Sequence, residues 1–218
     1  MKLYVYDHCP YCVKARMIFG YKNINIDLEY LLNDDEEKPV SMIGQKMTPI
    51  LEKDDGSFMP ESLDIIDYID KNFGDVFIDT DVEFDSNLSD WITASRDYLY
   101  PLAMPRWTQV GLEEFKTQSA VDYFTKKKED SIGSFEKHLS DTEALVAKAD
   151  AHLLELDKII TENQSFFSGK PSINDIHLYP TLRCLSVSKD VTFPINVLDY
   201  MEEQEELTKV PLHLDISI

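Results

Sequence analysis

The stretch Met1-Lys2-Leu3-Tyr4-Val5-Tyr6-Asp7-His8-Cys9-Pro10-Tyr11-Cys12 decides how this chain is read. Residues 2 to 6 alternate and are rich in β-formers, whereas Val13, Ile18 and Phe19 give Cys9 to Gly20 a helical pattern. Gly20 reads as the stop of that helix. A strand that gives way to a helix here puts Cys9 at the helix N-cap and Cys12 one turn further on. Side chains three residues apart on a helix are neighbours, so the pair can form and break a disulfide without large backbone movement. Unsatisfied N–H groups and the positive end of the helix dipole favour a thiolate at the N-cap, drawing a cysteine pKa from about 8.5 toward roughly 3.5 to 7.5. Pro10 suits the first helical turn, where its missing N–H costs nothing, and Lys14 and Arg16 add positive charge nearby. Cys9 is therefore the expected nucleophile and Cys12 the expected resolving thiol. His8 reads as a bystander exposed at the turn.

Working outward, Ile24 to Leu32 suits a second strand, and Asn33-Asp34-Asp35 opens a turn into a short helix near Glu36 to Ile43. Pro49 to Glu52 and Ser57 to Met59 flank Asp54-Asp55-Gly56, a hairpin signal because Asp-Gly tolerates the positive φ of tight turns. From Ser62 a helix follows, with Leu63, Ile65, Ile66 and Ile69 spaced for one buried face. The order β-α-β-α-β-β-α suits a small α/β sandwich over residues 1–72. Residues 73–86 are short of helical periodicity and rich in Asp, as a linker is. Beyond them, Leu88 to Leu99, Val121 to Lys128, Asp141 to Glu162 and Ile173 to Leu185 carry helical spacing, so an all-helical second domain is expected over 87–218. Ser172-Ile173-Asn174-Asp175 reads as a capping box with a role in folding.

Composition narrows the chemistry. The 218 residues are 43% hydrophobic, with Gly 7, Pro 10 and Cys 3, which suits packed domains and excludes collagen-like, disordered and disulfide-stapled classes. A net charge of −20 repels nucleic-acid backbones and anionic membranes, so neither is an expected partner. The apolar run before Asp7 is too short for a signal-peptide core, and no window approaches the roughly 20 apolar residues of a membrane span. The expected location is the cytoplasm, where reducing conditions make a close cysteine pair catalytic or metal-binding rather than a permanent staple. A zinc site needs two further soft ligands, and only Cys184 and five scattered histidines remain, so no metal is expected. Cys184, between Leu182 and Leu185, reads as a small buried hydrophobe.

The opening twelve residues, with Lys14 to Gly20, Gly44-Gln45-Lys46, Pro49-Ile50-Leu51 and Met59-Pro60-Glu61-Ser62, closely resemble the bacterial glutaredoxin 2 family. The likeness continues more weakly through Pro101 to Arg106 and Ile173 to Ile176. It implies a thioredoxin-like N-terminal domain, an all-α C-terminal domain like that of glutathione transferases, a monomer, and glutathione as the reducing co-substrate. Glutathione mixed disulfides and protein disulfides are the implied substrates. The resemblance also implies that Thr48-Pro49 is a cis peptide whose Thr48 backbone pairs with the cysteinyl part of glutathione. Read alone, Pro49 equally suits the start of an edge strand. Glu61 and Ser62 are the implied holders of the γ-glutamyl end, through helix N–H groups and hydroxyl to its carboxylate and through Glu61 to its ammonium. Without the resemblance, Ser62 is an ordinary N-cap. Tyr11 is expected to pack on the bound tripeptide, with a half-exposed aromatic at a domain contact as the plainer reading. The chain departs from small glutaredoxins in its length and in having Pro60-Glu61-Ser62 where they show a glycine-rich turn. The competing enzyme reading is a glutathione transferase acting on small electrophiles, which has no use for a resolving thiol. A non-catalytic module is the other alternative.

Overall fold

The computed structural model describes residues 1–79, 82–162 and 170–218. Strand β1 (Lys2–Val5) leads into helix α1 (Pro10–Tyr21), followed by β2 (Asp27–Tyr30), α2 (Glu37–Ile43), β3 (Ile50–Glu52), β4 (Phe58–Pro60) and α3 (Ser62–Asn72). The sheet order is β2-β1-β3-β4. β1 runs parallel to β2, with Leu3 opposite Leu28, and antiparallel to β3, with Leu3 opposite Leu51. Alternation along β1 and β3 thus buries Leu3, Val5 and Leu51 against the helices. The expected order of elements is the observed one, but β2 is shorter than Ile24 to Leu32. Asn23 sits at φ 52° and the Ile24 N–H donates to Phe19 O at 2.8 Å, so the chain is still turning there. In α3 the buried residues are Ser62, Ile65, Ile66, Ile69 and Asp70, while Leu63 is exposed, contrary to the expected face.

Helix α1 is covered on every side, with nine of its twelve residues buried. It packs on α3 and on two helices of the second half, α8 (Ile173–Leu185) and α9 (Ile195–Thr208). Gly20 does not stop it. The helix continues to Tyr21, and a Cβ at Gly20 would lie 1.8 Å from the carbonyl oxygen of Thr208, so glycine is required by the approach of α9. The segment after α3 is pinned by Asp70, which accepts from the N–H groups of Phe77 and Ile78 and from Lys22 Nζ at 2.9 Å. Thr80 and Asp81, within the expected linker, lie outside the described residues.

The second half is helical throughout: α4 (Ser86–Trp107), α5 (Gln118–Ile132), α6 (Phe135–Ser140), α7 (Thr142–Glu162), α8 and α9. Helix α4 outruns its expected end at Leu99 and passes through Pro101 and Pro105. Proline removes a helix hydrogen bond. The end of this helix is tied down instead by the buried Arg106 side chain, which donates to Leu102 O at 2.9 Å, Thr142 Oγ1 at 2.9 Å and Ile218 O at 3.1 Å. The capping box of α8 is formed as expected: Asn174 N–H donates to Ser172 Oγ at 3.2 Å and Ser172 N–H donates to Asp175 Oδ2 at 2.8 Å.

Candidate active site

Cys9 is the N-cap of α1, with φ −74° and ψ 119°, and Pro10 is its first helical residue. Cys9 is partly exposed, whereas Cys12 is fully buried and accepts the Tyr6 N–H at 3.4 Å. Both thiols are free. Their protonation tendencies diverge. A hydrogen bond from the Cys12 thiol outweighs burial and, with the positive field of His8 and the N–H groups of Cys12 and Tyr11, lowers the Cys9 pKa to about 6. Burial, followed by the hydrogen bond to Cys9 and its charge, pushes the Cys12 thiol well up.

The sequence reading of His8 is corrected here. It is 7% exposed, packed among Tyr6, Trp107, Phe115 and Phe124, and its Nδ1 lies 2.5 Å from Glu114 Oε1. Glu114 is fully buried and also accepts the His8 backbone N–H at 2.9 Å. Burial pushes the Glu114 carboxyl up, but the hydrogen bonds and charge of His8 outweigh it and hold it below its usual range. Arg16 is corrected too: its guanidinium is buried against Asp7 at 2.8 Å rather than offered to Cys9. Asp7 accepts from Arg183 Nη2 at 2.8 Å, and its Oδ2 lies 2.8 Å from His213 Nε2. Burial of Asp7 is outweighed by its hydrogen bond to His213 and by the charges of Arg183 and Arg16, which hold the carboxyl far below its usual range. The turn before Cys9 is thus gripped from the helical half on both sides. No local signal marks this, because Glu114 and Arg183 lie far along the chain. Cys184 is buried, as expected, and burial raises its pKa to about 12.

A cavity of about 560 Å³ opens beside Cys9. Cys9, Tyr11, Lys46 and Thr48 line one wall; Tyr100, Trp107, Tyr123 and Lys127 line the other. The Thr48–Pro49 peptide is cis, Pro49 is buried, and the Thr48 side chain hydrogen-bonds Cys12. Tyr11 is 56% exposed. Glu61 and Ser62 do not line this cavity. Glu61 is the N-cap of α3 at φ 70°, an uncommon conformation for a side-chain-bearing residue, and the buried Ser62 is the first residue of the helix rather than its cap. Three lysines, Lys46, Lys127 and Lys128, line the cavity of a chain whose net charge is −20. Lys46 lies 3.7 Å from the Tyr123 ring centroid, and burial followed by the charge of Lys127 lowers its pKa to about 8. Among the described residues, no group of three His, Cys, Asp or Glu side chains could hold a metal ion.

Comparison with known proteins follows the same division. Residues 87–217 match the family model for the glutaredoxin 2 C-terminal domain, and residues 3–77 match that for the glutathione S-transferase N-terminal domain. Glutaredoxin 2 of Escherichia coli K12 is 41% identical over 218 residues, all of both chains.

This chain belongs to the glutaredoxin 2 family.

A second relative of this glutaredoxin 2 family member is the crystal structure of Salmonella typhimurium glutaredoxin 2 in complex with glutathione. It superposes with TM-score 0.93 at 42% identity, covering 100% of this chain and 98% of that one. A glutathione S-transferase from Ceriporiopsis subvermispora shares the fold alone, with TM-score 0.69 at 17% identity over 95% of this chain and 96% of that one. The chain therefore joins a thioredoxin-like α/β domain to a glutathione-transferase-like helical domain.

Proposed function

We propose that the chain is a glutathione-dependent thiol–disulfide oxidoreductase in which Cys9 is the nucleophile and Cys12 the resolving thiol. The observation that carries this reading is the divergence of the two thiols. One is partly exposed at a helix N-terminus and acidified; the other is buried behind it and kept protonated. The Cys9 thiolate attacks the glutathionyl sulfur of a mixed disulfide. A Cys9–glutathione disulfide forms, the substrate sulfur leaves with the bond's electron pair and takes a proton from water, and a second glutathione thiolate releases glutathione disulfide and Cys9. With a protein disulfide, Cys9 attacks first and Cys12 displaces the substrate thiol. The resulting Cys9–Cys12 bond is reduced by two glutathiones.

The cationic cavity suits an anionic tripeptide, and Tyr11 and Thr48 stand beside Cys9 to receive its cysteinyl part. Glu61 and Ser62 would hold the γ-glutamyl end, a reading supported by the strained Glu61 backbone at the N-terminus of α3. The glutathione-bound relative supports the same ligand. Among the described residues no helix is long and apolar enough to cross a membrane. A cytoplasmic monomer completes the proposal. A sizing column in reducing buffer should show one species near 25.2 kDa, and a stable species at twice that mass would overturn the monomer.

The deciding assay is turnover of the hydroxyethyl–glutathione mixed disulfide coupled to glutathione reductase. Loss in Cys9→Ser with substantial activity in Cys12→Ser supports the assignment. Full activity in Cys9→Ser, or an inactive wild type that conjugates glutathione to an electrophile, overturns it in favour of a transferase.

A further inference from the structure

We propose that a second, smaller cavity, on the other side of Tyr11, is an anion subsite that receives a carboxylate on the half of the mixed disulfide that leaves when Cys9 captures the glutathionyl sulfur. The inference rests on the assignment of Cys9 above. The cavity is about 70 Å³ and lies where α1, α4 and α8 meet. Lys14 of α1, Arg96 of α4 and His177 of α8 converge on it. Pro10, Tyr11 and Tyr100 line both cavities, so the wall between the two stands next to Cys9.

Lys14 is 8% exposed, and its Nζ lies 2.8 Å from His177 Nδ1 and 5.5 Å from the Tyr11 ring centroid. Among the described residues no carboxylate pairs with Lys14, Arg96 or His177. That is unexpected in a chain with 41 acidic residues, because an ammonium taken out of water without a counter-charge is costly. Burial, followed by the charge of Lys14, lowers the His177 pKa to about 4. The imidazole is therefore neutral at pH 7, and its Nδ1 accepts a Lys14 proton, which leaves Nε2–H as a donor. Burial also lowers Lys14 to about 8; the charge of Cys9 opposes this without cancelling it, and the charge of Arg96 adds to the lowering. An anion seated among the three groups relieves the missing charge. The volume has room for a few water-sized groups, enough for a carboxylate on a short chain and too little for a folded partner.

The test compares kcat/KM for two glutathione mixed disulfides, one with 3-mercaptopropionate and one with 2-mercaptoethanol, in wild type, Lys14→Gln and Arg96→Ala. The ratio of anionic to neutral substrate is the readout, because comparison across variants cancels the intrinsic chemistry of the two thiols and any general change in Cys9 reactivity. Lys14→Gln is expected to lower that ratio about tenfold, and the exposed Arg96→Ala about threefold with the neutral substrate unchanged. Raising the salt to 0.5 M should compress the wild-type ratio toward that of Lys14→Gln. A ratio unmoved by Arg96→Ala and by salt overturns the subsite, even if Lys14→Gln does not fold. A wild type inactive on the neutral disulfide would instead remove the assignment of Cys9.

Discussion

The two halves of the molecule contribute to the site in opposite ways. The thioredoxin-like half supplies two sulfurs and the backbone N–H groups of Tyr11 and Cys12 within four consecutive residues, Cys9 to Cys12, in a geometry that a strand-to-helix junction makes by itself. The helical half supplies partners separated widely along the chain, Glu114, Arg183 and His213, which hold the preceding residues Asp7 and His8. Local geometry places the thiol proposed as the nucleophile, and distant contacts hold the turn that precedes it. The comparison predicts that loss of the Cys9 sulfur abolishes chemistry, while breaking the contacts that join the two halves weakens the fold or retunes the thiol.

The largest expected effect is that of Cys9→Ser, which should lower mixed-disulfide turnover by at least about a thousandfold, because the covalent route is lost. Activity retained within tenfold would break the comparison at its base. Next in size, Asp7→Ala leaves the Arg183 guanidinium, 1% exposed, without its buried carboxylate, and should cost about 3 to 5 kcal/mol in denaturant unfolding. Gly20→Ala presses a methyl group into the Thr208 carbonyl and should cost about 1 to 3 kcal/mol with the thiol pKa unchanged. A thiol titration that moves in Gly20→Ala would show that the far end of α1 also sets the reactivity of Cys9.

Two smaller predictions sharpen the role of the field. With Cys9 lowered to about 6, alkylation by iodoacetamide should reach half its plateau near pH 6, and Glu114→Gln should slow it roughly threefold at that pH by weakening the positive field of His8. An unchanged profile would reduce Glu114 to a structural role. Linkage supplies the second. An acid whose folded pKa lies below its unfolded value of about 8.5 adds stability that is full above 8.5 and lost as the pH falls toward 6. The stability gap between reduced wild type and Cys9→Ser should therefore widen as the pH rises from 6 to 8.5, and a gap independent of pH would contradict the acidified thiol.

What the sequence makes legible follows the same division. Cys9, Cys12 and Pro10 are readable because one turn of helix dictates their arrangement, and the α8 capping box is readable because Ser172 and Asp175 are three residues apart. The cis peptide at Thr48–Pro49 was expected through family resemblance, since spacing alone left Pro49 an ordinary strand start. His8 was misread as exposed because the residue that buries it, Glu114, sits in another domain. Lys14 and Arg16 both read as charge for Cys9; the charge of Lys14 does couple to Cys9 while its Nζ meets His177, but Arg16 is committed to Asp7, and nothing within a few residues of either distinguishes them. Gly20 resembled a helix stop for a similar reason: the Thr208 carbonyl that forbids a side chain there is supplied by α9.

The burial of α1 on all sides has a consequence for how the molecule opens. Its central amides, at Met17 and Ile18, are screened by α3 on one flank and by α8 and α9 on the other, so neither half can expose them while the halves stay together. Their hydrogen exchange should proceed through separation of the halves or complete unfolding, at the slow limit for this chain. The helix that begins at Cys9 is then the last part of either half to let solvent in.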